Sequence, residues 1–222
     1  AGALIFDMHN DYGPPTRDSD RNRTIPGLKE KFSGRVRLVG LGAGSRPGAV
    51  RADFDLMINE NDIEIEDVEM LTRELNLKET TPTTLAALER DFGRSWYAAF
   101  REMIYGKTEE DEHGKRVPSA DSVAGWALQA NVNVMAAEGL HSKLGRLFNK
   151  PYITRRDPHN VVQEIIKALE SGLHVVLSFG DFSSDLDYLL VTNILTRKIR
   201  ETWVEKTEKY HQAGAGGTPP RP

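Results

Sequence analysis

The chain has 222 residues, 39% hydrophobic and 28% charged, enough for one large domain or for a core with a subdomain. No apolar run approaches the roughly 18–20 residues of a membrane span, and the absence of cysteine excludes disulfides and thiolate metal sites. No cationic, apolar leader opens the sequence, so a cytoplasmic protein is expected, and the net charge of −4 argues against a surface coated for nucleic acid while leaving room for a local basic groove.

Residues 3–6, ALIF, form a short apolar run stopped by Asp7, which fits an inner parallel strand with both faces covered. From Gly13 to Gly34 the breakers Pro14, Pro15, Pro26 and Gly27 mark a long surface connection. RVRLVGLGAG, residues 35–44, alternates like a strand and runs into a glycine-rich turn, and FDLMI, residues 54–58, is another short strand. The period then changes. Ile65, Val68, Leu71 and Leu75 are spaced as on an amphipathic helix. A second helix is predicted from Thr81, with Pro82 in its first turn and Leu85, Leu88, Phe92, Trp96 and Phe100 along one side. Residues 107–116, KTEEDEHGKR, read as a charged, solvated loop, and a third helix is predicted from Ser119 to Phe148.

Sheet character returns after that. Asp157 can cap a helix with Pro158 in its first turn and Val161, Ile165, Ile166 and Leu169 on its buried face; Gly172 ends it and HVVLSF follows as a strand. Such an αβ unit is typical of a doubly wound parallel sheet. Ser183 or Ser184 then caps a long helix bearing Leu186, Leu189, Leu190, Ile194 and Trp203. The expected organisation is a sheet-forming core over 1–61, a helical-bundle insert over 62–150, a return to the core over 151–210, and a flexible Gly- and Pro-rich tail over 211–222.

Asp7, His9 and Asp11 stand just past the end of the opening strand, where open α/β sheets bind their ligands. A carboxylate there can hold a magnesium-bound or catalytic water, and an imidazole two residues on can bond a phosphate or orient that carboxylate. Equally, Asp7 can cap a turn with His9 at the surface. D-x-H-x-D can also begin a metal site with Asp7 as a ligand, but His113, His141, His159, His174 and His211 form no paired ligand motif with it or with one another. GLGAGSRPG lacks the lysine that closes a phosphate-binding loop and reads as a turn. Arg155 and Arg156, at the junction of insert and core, are the candidates for a nucleic-acid phosphate contact.

LIFDMHNDYG, residues 4–13, resembles the strand of HerA-like ATPases, hexameric DNA translocases related to FtsK, that ends in D-x-H-x-E-Y; Asp11 stands for the usual glutamate. The segment ALESGLHVVLSFGDFSSDLDYLLVTNILTRKIRE is similar to the family's later helix, strand and helix. The resemblance implies a RecA-like, mostly parallel α/β sheet with an inserted helical bundle, and a place for Asp7, His9, Asp11 and Tyr12 beside ATP and Mg2+. It implies duplex DNA as partner, a homo-hexamer and a nuclease companion in DNA-end processing. The family's phosphate-cradling loop and its acidic Walker B strand have no counterpart in these 222 residues, so the resemblance also implies the middle of a larger ATPase, inactive alone. DMHND is similar as well to the start of the membrane-dipeptidase family, but the later histidines do not match and the helical insert does not suit a barrel. A metal-dependent hydrolase using D-x-H-x-D and a non-catalytic DNA or protein interaction module are the alternatives.

Overall fold

The computed structural model describes residues 2–18, 20–156 and 160–212. In chain order the elements are β1 (Leu4–Asp7), β2 (Thr16–Asp18), β3 (Arg23–Ile25), α1 (Leu28–Lys31), β4 (Val36–Leu41), β5 (Phe54–Leu56), β6 (Ile58–Asn59), α2 (Ile65–Glu69) and α3 (Thr81–Phe92). There follow α4 (Trp96–Glu102), β7 (Thr108–Glu110), β8 (Arg116–Pro118), α5 (Val123–Gln129), α6 (Val134–Phe148), β9 (Ile153–Thr154), α7 (Val161–Glu170), β10 (His174–Ser178) and α8 (Asp185–Gln212). The described residues divide into two compact units, residues 2–57 with 160–212, and Ile58–Arg156.

The first unit is an α/β unit of the RecA-like kind. Its sheet has the order β1-β10-β4-β5 with every pair parallel. The continuous apolar runs of β4 and β10 are explained by their inner positions: Leu38, Val39, Val175, Val176 and Leu177 are fully buried. The opening strand departs from expectation. β1 does join the parallel sheet, but at its edge, and Leu4, Ile5 and Phe6 are only half-buried because no described strand pairs with its outer side. Helix α7 packs its predicted face, Val161, Ile165, Ile166 and Leu169, into the core. Its N-cap is Asn160, whose side chain accepts from the Gln163 N–H; Asp157, Pro158 and His159 lie outside the described residues. Gly172, at φ 76°, turns the chain from α7 into β10. Ser184 caps α8, accepting from the Asp187 N–H at 3.2 Å while its hydroxyl donates to Asp187 Oδ2 at 2.6 Å. Helix α8 continues to Gln212, so His211 and Gln212, expected in the tail, are helical; residues 213–222 lie outside the description. The connection between Gly13 and Gly34 holds the antiparallel pair β2–β3 and the single turn α1.

The second unit is mostly helical. Ile65, Val68, Leu71 and Leu75 are all buried, as their spacing predicts, yet the helix stops at Glu69. The Thr72 hydroxyl bonds the Glu69 carbonyl, Leu77 N–H closes on Thr72, and Asn76 takes φ 50°, so successive turns bury the two leucines. The helix predicted from Thr81 starts there but breaks at Gly93, φ 53°, which lets α4 set off afresh with Trp96, Tyr97 and Phe100 buried. The single helix predicted over 119–148 is two. Asn131 is left-handed at φ 57°, Val132 N–H closes α5 on the Ala127 carbonyl, and the Asn133 side chain caps α6. The charged stretch 107–116 is a hairpin, β7 against β8, whose turn is held by Asp111 Oδ1 accepting from His113 and Lys115 N–H at 2.9 Å each. β6 and β9 pair in parallel, so the two ends of this unit run side by side.

Candidate functional site at the carboxyl edge of the parallel sheet

The carboxyl ends of three parallel strands stand in register: Asp7 of β1 faces Ser178 of β10, which faces Gly40 of β4. All three strands lead into loops at this edge, and each loop is tied down differently.

Asp7 is 1% exposed, and its carboxylate organises the loop after β1. Oδ1 accepts from the Asp11 N–H at 2.9 Å, and Oδ2 accepts from the Tyr12 and Gly13 N–H groups at 3.0 and 2.8 Å. An anion inside a nest of three amides holds the chain in a tight reversal. Gly13 is needed at the end of that reversal, since a Cβ there would come within 2.7 Å of Leu38 Cδ1 and 3.2 Å of Val176 Cγ1. The expected cluster therefore splits. Asp7 faces inward as the anchor of the loop, while His9, Asp11 and Tyr12 are exposed upon it.

Asn10 joins this loop to the one after β10. Its backbone is left-handed at φ 59°, a conformation asparagine tolerates better than most residues. The side chain donates through Nδ2 to the Gly180 carbonyl at 3.0 Å, and Oδ1 accepts from Gly180 N–H at 3.0 Å and from the Ser178 hydroxyl. The third loop, after β4, folds back over its own strand: a Cβ at Gly40 would run into the Ser45 side chain, and the Gly44 N–H is held by Asp55 Oδ2 at 2.7 Å. Asn10, Ser178 and Ser45 carry no sequence signal of this role. Only the fold reveals the Asn10 contacts, because Ser178 and Gly180 lie 168 and 170 residues away in the chain.

Against the whole length of this constellation, residues 1–199 match the family model described as "Helicase HerA, central domain". The chain belongs to the HerA central-domain family. Membership places it with ATPases and translocases of the P-loop NTPase class, which generally use ATP and Mg2+ and assemble as DNA-binding oligomers. No curated protein and no solved structure matches the chain. No helix among the described residues is long and apolar enough to cross a membrane.

The residues of this HerA-family chain fit part of a magnesium–nucleotide site and not the whole of it. The amides of residues 11–13, which in such a nest can bind phosphate, are spent on Asp7. Among the described residues no group of three or more His, Cys, Asp or Glu is placed to hold a metal ion. The chain offers the exposed His9 imidazole and Asp11 carboxylate, on a loop fixed at the end of a parallel strand. In the second unit Arg155 is bonded to Glu102 and lies 4.0 Å from Glu60, so its charge is already met by two carboxylates. Arg156 is exposed, its backbone N–H held by Thr154 Oγ1 at 3.1 Å.

Proposed function

We propose that this chain is the central part of an ATP-driven DNA translocase of the HerA type, which couples ATP hydrolysis to movement on duplex DNA in DNA-end processing or repair. The reading includes a cytoplasmic homo-hexamer and a nuclease companion. The observation that carries it is the strand-end loop: Asp7 spends both carboxylate oxygens on three amides and so presents His9 and Asp11 outward at a parallel strand's carboxyl end.

In this reading Asp7 acts through the shape it imposes, His9 meets the γ-phosphate, and Asp11 and Tyr12 border the same place. Asp11, one methylene shorter than the family's glutamate, serves this loop with a shorter reach. ATP with Mg2+ supplies the reacting phosphate and the charge that polarises it; this chain's residues orient and hydrogen-bond. The phosphate cradle comes from elsewhere in the protein. The outer side of β1 suits an additional strand, since Leu4 and Phe6 line an apolar groove of about 720 Å³ with Ile199, Trp203 and Val204 of α8. Open edges of parallel sheets demand cover. Arg156 is the candidate for a nucleic-acid phosphate.

The test is ATP hydrolysis by the full-length protein with and without linear duplex DNA. Turnover stimulated by DNA, with a steep loss on raising salt, supports the reading; a full-length protein that hydrolyses no ATP under either condition contradicts it.

A further inference from the structure

The loops after β1 and after β10 belong to strands paired in register, yet strand pairing ends at Asp7 and Ser178. Beyond that point the side chain of Asn10 takes over. Its amide donates to the Gly180 carbonyl and accepts from the Gly180 N–H, which imitates one more rung of a β-ladder with a side chain in place of backbone. The Ser178 hydroxyl, fully buried, completes the bracket by donating to the same Asn10 oxygen. Gly180 is left-handed at φ 57° and Asn10 at φ 59°, so both backbones are bent into conformations that bring these groups together. Four residues after Gly180 stands Ser184, the cap of the 28-residue α8.

We infer that Asn10 is a positioning residue that clamps the His9-bearing loop to the loop leading into α8, so that the two strand-end loops move as one body during nucleotide turnover. The inference rests on the HerA-type reading of His9. His9 and Asp11 flank Asn10 directly, so their placement relative to a phosphate is set from two sides: by Asp7 beneath and by Asn10 across. A shift of the His9 loop when nucleotide binds or leaves is passed through the Asn10–Gly180 pair to the start of α8. The backbone joins the two loops at their foot through the Phe179 N–H, which donates to the Asp7 carbonyl at 3.4 Å; beyond it the Asn10 side chain carries the link. A physical pathway of this kind is established by coupling and not by proximity.

Two measurements test it together. The first is hydrogen exchange of the full chain with Asn10→Gly, which deletes the bracket while keeping a residue at ease with φ 59°. Amides over 179–184, Gly180 foremost, are expected to exchange about tenfold faster than in the wild type, with β4 and β10 unchanged. Asn10→Asp, which retains an acceptor for Gly180 N–H and Ser178, is expected to recover part of the protection. The second is ATP turnover of the full-length protein with Asn10→Gly: kcat falls about tenfold while KM stays within about twofold, as for an interaction that matters chiefly in the transition state. Unchanged exchange over 179–184, or exchange raised equally through the whole sheet, overturns the clamp. Faster exchange with an unchanged kcat, in an enzyme that still needs His9, overturns its link to the reaction. A full-length wild type without ATP turnover fails the underlying reading instead, and the exchange result still decides for or against the clamp.

Discussion

Replacing Asp7 tests whether one carboxylate shapes the strand-end loop. Its three hydrogen bonds, 2.8 to 3.0 Å long, are charge-assisted, and their donors differ in burial: Gly13 N–H is buried with the acid, whereas Asp11 and Tyr12 are exposed residues. In Asp7→Ala both acceptor oxygens, and with them all three hydrogen bonds, vanish; water reaches the outer two donors and leaves Gly13 N–H unpaired. A buried orphan costs about 1–3 kcal/mol and a charged hydrogen bond contributes about 1.5–3 kcal/mol, so a total of about 3–5 kcal/mol follows once the two outer donors are resolvated. Asp7→Asn keeps one oxygen. With it on the Oδ2 side the Tyr12 and Gly13 bonds survive without their charge, and only the exposed Asp11 N–H faces an amide hydrogen, for a cost of about 2 kcal/mol. Urea unfolding of the wild type and both variants, with hydrogen exchange at 11–13, measures this. A ranking of wild type above Asn above Ala is expected. Variants within about 0.5 kcal/mol of wild type, or Ala no worse than Asn, would refute the anchoring argument.

Arg101 lies 2.5 Å from Glu60, with both side chains largely buried and the Tyr97 hydroxyl enclosed nearby, its ionisation pushed well up by burial. Arg101→Met leaves the buried Glu60 carboxylate with only the exposed Arg155 at 4.0 Å and is expected to cost about 3 kcal/mol, while Glu60→Leu with Arg101→Met costs less, read from urea unfolding by tryptophan fluorescence. His141 packs between Phe100 and Phe148, ring centroids 5.1 Å from each, and burial holds its pKa below the usual histidine value against the opposing pull of the Phe100 and Met103 carbonyls. The unfolded chain then binds the proton more readily, so stability is full above the unfolded pKa and is lost as pH falls from there through the folded pKa. His141→Phe is expected to flatten that slope in thermal melts between about pH 7 and 5.

Much of the fold is legible because burial sets residue type. The apolar runs of β4 and β10 and the 3–4 spacing in α7 mark inner strands and a one-sided helix. Break points are less visible: Gly93 and Asn131 take positive φ, which a hydrophobic period does not register, and this is why two predicted helices divide. β1 shows the limit of reading burial from an apolar run, since Leu4 and Phe6 are apolar for a groove and an open edge and not for cover on every side. At the site, D-x-H-x-D points to the right place through strand-end position alone. It does not divide the labour, because the inward turn of Asp7 depends on amides at 11–13, and Asn10 on Gly180, a contact 170 residues distant.

The most direct test of the account is the turnover number of the full-length protein carrying His9→Ala, measured with saturating MgATP and duplex DNA beside an unchanged circular dichroism spectrum. A fall in kcat of about a hundredfold is expected for a group that hydrogen-bonds the reacting phosphate; turnover equal to wild type would remove the imidazole, and the outward face of this loop, from the chemistry.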